Sequence, residues 1–107
     1  SKPWLSFGVM GGALQPLGHV YVLTNMVDYG LDAQEAIDYP RIFFEGNAVQ
    51  AEAGVPQATV DALAAMGHPM SRREDPWGGG QLVQFDRAHG TLIGASDPRK
   101  DGAALGY

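Results

Sequence analysis

The sequence predicts an α+β fold with mainly antiparallel strands. Three observations carry this. The elements follow the order strand, helix, helix, strands, helix, strands, which is not the strict alternation of a parallel α/β sheet. Consecutive strands are joined by short glycine-containing turns of hairpin type. No internal repeat, low-complexity tract or clear linker interrupts the 107 residues, so a single domain or subdomain spanning 1–107 is expected.

Leu5 to Val9 alternates loosely between apolar and small or polar residues, as a buried strand does. Gly11-Gly12 breaks it, and Pro16 sits where a helix can begin without losing a needed N–H. From Leu17 to Asp28, the spacing of Leu17, Val20, Tyr21, Thr24 and Val27 predicts a helix buried on that face, with Gly30 as its left-handed terminator. Asp32 and Glu35 stand at N-cap and N3 of a short helix that must stop before Pro40. Arg41–Glu45 and Ala48–Glu52 form two strands around a Gly46-Asn47 hairpin turn. Pro56 opens a third helix with Val60, Leu63 and Ala64 inward, the face extending to Met66, and Gly67 closes it. Met70–Arg73 is a short edge strand, and Asp75 to Gly80 a flexible loop by composition. Gln81–Asp86 and Thr91–Ala95 pair around Ala88-His89-Gly90, and Asp97-Pro98 stops the last strand.

Composition narrows the function classes. A hydrophobic share of 45% supports a real core, and 15 glycines imply many tight turns. The net charge of −5 argues against nucleic acid or an anionic membrane as partner, although Arg72-Arg73 and Arg99-Lys100 make small basic spots. Cysteine is absent, which excludes a disulfide framework, a thiolate nucleophile and a zinc knuckle. Apolar stretches fall far short of a membrane span. Nothing here fixes the compartment, periplasmic, extracellular or cytoplasmic. Lys2-Pro3-Trp4-Leu5-Ser6-Phe7 reads as a chain already entering a strand, as in a piece of something longer.

Among candidate chemical groups, Gly11 and Gly12 come first. Two residues without side chains, between a strand and a helix, can present adjacent N–H groups to a developing oxyanion beside a helix N-terminus. A glycine pair is a weak signal, and from the residues alone a tight turn needing positive φ is the stronger explanation of it. His19 could act as a base but more often such a histidine packs or caps; His68 and His89 sit at a helix end and in a turn. The three have no metal-ligand spacing, so no metal site is expected. Ser1 could be an N-terminal nucleophile by type, but Lys2-Pro3-Trp4 does not look like a processed active-site strand. Asp97 and Arg99 are expected to form a structural network and Arg41 a structural ion pair. Trp77 is either a lid over a site or part of a mere connection.

Two stretches carry a resemblance. Phe7-Gly8-Val9-Met10-Gly11-Gly12 with Asn25-Met26-Val27-Asp28-Tyr29-Gly30-Leu31, and the tail Gly94 to Tyr107 with its Asp97-Pro98-Arg99 and final Gly106-Tyr107, resemble the small subunit of γ-glutamyltransferases. The resemblance runs from about Ser6 to Tyr107. It implies an αββα sandwich made by autocleavage, of which this chain is the C-terminal portion of the small subunit. It also implies acyl transfer from glutathione and other γ-glutamyl amides through an acyl-enzyme, without an organic cofactor. The family's Gly-x-x-Gly-Gly stretch supplies oxyanion amides from its last two glycines, here Gly11 and Gly12, with Gly12 also contacting substrate. The best-known members have Ser-Pro where Val9-Met10 stand, and lack the Gln15-Pro16-Leu17-Gly18-His19 pattern, which points to a divergent branch. The threonine nucleophile and the groups that hold the substrate's α-carboxylate lie upstream, and Thr24, Thr59 and Thr91 match nothing in that motif. The implied partners are therefore the upstream segment of the small subunit and the large subunit, and the isolated chain is expected to be inactive. A glutaryl or cephalosporin-type amide acylase of the same family, and a non-catalytic interaction module, stay open as alternatives.

Overall fold

The computed structural model describes residues 2–107. In chain order the elements are β1 (Leu5–Met10), a 3₁₀ turn (Gly12–Leu14), α1 (Gln15–Val27), α2 (Ala33–Asp38), β2 (Ile42–Glu45), β3 (Ala48–Ala51), α3 (Gln57–Ala65), β4 (Met70–Arg72), β5 (Gly79–Asp86), β6 (Thr91–Ser96) and a second 3₁₀ turn (Pro98–Lys100). They gather into two compact units, one made of the stretch up to Asp38 together with Gly78–Tyr107, the other of Tyr39–Trp77.

In the first unit, β5 lies between β1 and β6, antiparallel to both. The register sets Phe7 opposite Leu82 and Leu82 opposite Ala95, so one face of the sheet is apolar and packs on α1 and α2. Val9, Val22, Ala33, Ala36, Ile37, Leu82 and Ala95 are its buried core, with Leu5, Phe7, Met26 and Leu31 packed against it. The opposite sheet face leaves Met10, Val83 and Leu92 exposed. Asp32 caps α2 as its spacing predicts, its Oδ1 accepting the Glu35 N–H at 2.8 Å. That bond holds the Asp32 carboxyl below its usual range, while Asp32 pushes Glu35 up.

Helix α1 buries a different stripe from the predicted one. Gly18 and Val22 are buried, whereas Val20 and Val27 are 51% and 61% exposed. The reason is Gly18: a Cβ there would stand 2.9 Å from Val9 Cγ1, so the glycine lets the helix approach β1 along its own line. A pattern that counts only apolar side chains misses such a seam. Gly30 does end this helical segment with φ +68°, and the Leu31 N–H donates to the Asn25 carbonyl at 2.9 Å. The flexible loop expected over 75–80 is also corrected. Gly79 and Gly80 belong to β5, opposite Met10 and Val9.

In the second unit, β2 and β3 form the expected hairpin, and β4 adds to β3 in parallel. Ala51, Val55 and Val60 are its buried core. Of the face predicted for α3 only Val60 is buried; Leu63 is half-buried, and Ala64 and Met66 are exposed. Strands of four, four and three residues offer contact to little more than one helical turn. Trp77 is 5% exposed and fixed, which removes the lid reading. Its N–H donates to Glu52 Oε1 at 2.9 Å, its carbonyl accepts from Arg41 Nη1 at 2.6 Å, and the Arg73 guanidinium lies 4.4 Å from its ring centroid. Arg41 is structural as expected, buried with its own N–H on Glu52 Oε2 at 2.8 Å.

Candidate oxyanion site at the strand to helix turn

Between β1 and α1 the chain turns at Gly11 and Gly12, with φ of +146° and +59°. Both values favour glycine, so the pair is required by the turn itself. The Gly11 carbonyl accepts the Leu14 N–H at 3.1 Å, and the Gly12 carbonyl accepts the Gln15 N–H, which closes the 3₁₀ turn leading into α1. The first N–H groups of a helical turn have no acceptor within it. Gly11 and Gly12 stand at those positions, Gly12 exposed and Gly11 half-buried. Two adjacent N–H groups at the head of the 3₁₀ turn that leads into α1 can stabilise an oxygen that gains negative charge.

The floor of this turn is apolar and tight. Leu14 is 1% exposed, and a Cβ on Gly11 would meet Leu14 Cδ2 at 3.2 Å and Gly78 Cα at 3.3 Å. His19 sits behind it and spans helix and strand. Its Nε2 accepts the Val9 N–H at 3.2 Å, and its Nδ1 lies 2.6 Å from the Gln15 carbonyl. A carbonyl can only accept and an amide can only donate, so the proton must be on Nδ1 and the Nε2 lone pair is in use. His19 in this arrangement is a brace, with no lone pair left to take a substrate proton.

The end of the sheet beside this turn is held by Asp97, which is 0% exposed. Its Oδ2 accepts the Gly80 N–H at 2.8 Å, and its Oδ1 accepts the Arg99 N–H and Nη1, both at 3.0 Å. Arg99 also donates to the Ile37 carbonyl at 2.9 Å. Burial pushes the Asp97 carboxyl up, but the Arg99 and Gly80 N–H groups and the Arg99 charge outweigh it and hold the group below the usual carboxylate range. Asp97 and Arg99 are thus the predicted network.

The remaining candidates lie elsewhere. Ser1 falls outside the described residues. Thr24 bonds back to the Val20 carbonyl at 2.9 Å, Thr59 is exposed on α3, and Thr91 is exposed at the start of β6. The His68 N–H caps the end of α3 on the Leu63 carbonyl, and His89 pairs with Asp86 at 2.8 Å in the β5–β6 turn. The residues that the sequence reading missed are Leu14, Gly18 and Gly78. The Gly78-Gly79-Gly80 run was the available signal for the last.

This arrangement of sheet, helices and turn is that of an N-terminal-nucleophile hydrolase. The chain matches the crystal structure of cephalosporin acylase from Bacillus halodurans with a TM-score of 0.81 and 39% identity, covering 94% of this chain and 20% of that one. The gamma-glutamyltranspeptidase family model matches residues 1–107, and the chain belongs to that family. It is 36% identical over 83 residues to the acylase ACY 1 proenzyme of Pseudomonas sp. (strain SE83), covering 78% of this chain. It is 30% identical over 106 residues to the glutathione hydrolase proenzyme of Bacillus subtilis (strain 168), covering 98% of this chain. It spans only 15% and 18% of the length of these two relatives.

Proposed function

We propose that this chain is the C-terminal portion of a γ-glutamyltransferase-like small subunit, and that it supplies the oxyanion donors for acyl transfer. The observation that carries the reading is the Gly11-Gly12 turn, with both φ values positive and both N–H groups at the head of a helical turn. An upstream threonine hydroxyl attacks the γ-glutamyl carbonyl carbon, and the carbonyl π pair moves onto oxygen. The Gly11 and Gly12 N–H groups stabilise that charge. Collapse breaks the C–N bond, the amine leaves with the proton taken from the threonine, and an ester remains. Water or an amino acid then attacks the ester and restores the hydroxyl.

The engaged nitrogens of His19 agree with a base that lies outside this chain, namely the nucleophile's own α-amino group. The exposed sheet face at Met10, Val83 and Leu92, together with the small share of the relatives covered, supports an upstream segment and a large subunit as partners. The isolated chain, without nucleophile or carboxylate-binding groups, is inactive on this reading.

A second reading, an amide acylase, is favoured by the 36% and 39% identities to two acylases. The two substrate classes differ by one α-amino group, so the full-length processed protein should be assayed on γ-glutamyl and glutaryl p-nitroanilides. A kcat/KM at least roughly tenfold higher for the γ-glutamyl amide, about 1.4 kcal/mol of discrimination, supports the transferase. The reverse ratio identifies an acylase, and turnover of neither would leave the non-catalytic module.

A further inference from the structure

We infer that Gly78 is a positioning residue that sets the direction of the Gly11 N–H; this rests on the oxyanion reading above. Gly78 precedes β5 and has φ +60°. A Cβ added there would overlap the Met10 carbonyl oxygen and approach Leu14 Cδ2 to 3.3 Å. The Met10 carbonyl and the Gly11 N–H belong to one peptide plane. The described residues contain no cis peptide, so in this trans unit the two groups point in opposite directions. Space at Gly78 therefore admits the carbonyl on one side and aims the Gly11 N–H to the other.

A side chain at 78 must push the Met10 carbonyl away, and the peptide plane turns with it. The donor then swings off the line on which an oxyanion would sit. Leu14 closes the remaining side, since its Cδ2 lies against the Cβ positions of both Gly11 and Gly78. The same left-handed glycine geometry occurs at Gly90, φ +66°, where a Cβ would meet nothing within 4 Å. Gly90→Ala thus reproduces the backbone strain without the collision.

The test uses the full-length processed protein on γ-glutamyl p-nitroanilide, or on the glutaryl amide if that is its better substrate. The expected result is a kcat for Gly78→Ala lower by roughly 10²-fold, the loss of one donor, with KM within about threefold of wild type. Gly90→Ala should keep the wild-type kcat. A Gly78→Ala enzyme as fast as Gly90→Ala overturns the inference. If Gly78→Ala does not accumulate, Leu14→Val decides: a kcat roughly three- to tenfold lower at unchanged KM supports the positioning role, and an unchanged kcat overturns it. Glycolic acid at position 12, which puts an ester oxygen in place of the Gly12 N–H without a side chain or a fixed φ, separates the two levels. A slow ester variant with a normal Gly78→Ala sinks only the Gly78 role, whereas a normal ester variant sinks the donor reading and this inference with it.

Discussion

The two ends of the β1–β5–β6 sheet are built differently. At one end, where Val9 faces Gly80, the backbone is braced on several sides. His19 takes the Val9 N–H, Asp97 takes the Gly80 N–H, Arg99 holds Asp97, and Leu14 and Gly78 close around Gly11. At the other end, where Asp86 faces Thr91, the tip turns at Gly90 in open space, with an exposed Asp86–His89 pair at 2.8 Å and an Arg87 contact to the Pro3 carbonyl. Both ends contain a positive-φ glycine, yet only one surrounds it with buried groups. The lesson is that a tight turn needs glycine, while a site needs glycine plus neighbours that fix where its N–H points.

Changes at four positions test this contrast, in order of expected effect. Asp97→Ala strips the braced end of its buried anion and takes from Arg99 its buried carboxylate. It should cost about 3–5 kcal/mol of stability in denaturant unfolding, more than any single change at the Gly90 tip. The same group gives the braced end a pH limit. Its folded pKa is depressed, so its stabilisation is complete above the ordinary carboxylate range and is lost as pH falls through the folded value. Acid unfolding of Asp97→Asn should lack that step.

Gly12→Pro, which removes one N–H and whose ring also forces φ away from +59°, should lower kcat by at least roughly 10²–10³-fold in the processed enzyme. His19→Ala leaves the Val9 N–H without its partner and should cost about 1–3 kcal/mol of stability. His19→Gln, which can both accept and donate, should recover most of this, and the pH dependence of kcat should not shift, because His19 is a brace. The smallest effect is expected at the open end. Gly90→Ala should lose about 1–2 kcal/mol of stability through strain alone, with kcat unchanged.

Much of this was legible in the sequence because local chemistry fixes it. The Asp32 cap, the Gly30 terminator, the Gly46-Asn47 hairpin and the Asp97 turn are each set by neighbours within a few residues. The Gly11-Gly12 turn was legible for the same reason. What the sequence hid depends on long-range approach. Gly18 seats α1 on Val9, and Gly78 receives the Met10 carbonyl, in both cases through a missing side chain that no hydrophobic pattern registers. Trp77 looked mobile because glycines follow it, whereas a carboxylate at Glu52 and two arginines hold it in place.

Whether the Gly12 N–H is a donor in the reaction decides the role of the whole turn. The direct measurement compares, in the assembled, processed full-length protein, kcat of Gly12→Ala with kcat of a semisynthetic variant carrying glycolic acid at position 12, whose ester oxygen replaces the N–H and leaves the φ of +59° accessible. Alanine keeps the N–H and its Cβ would meet nothing within 4 Å, so it carries the φ strain alone. The ester variant should be slower than the alanine variant by roughly 10²-fold or more if the N–H is a donor. Equal rates for the two would contradict that role.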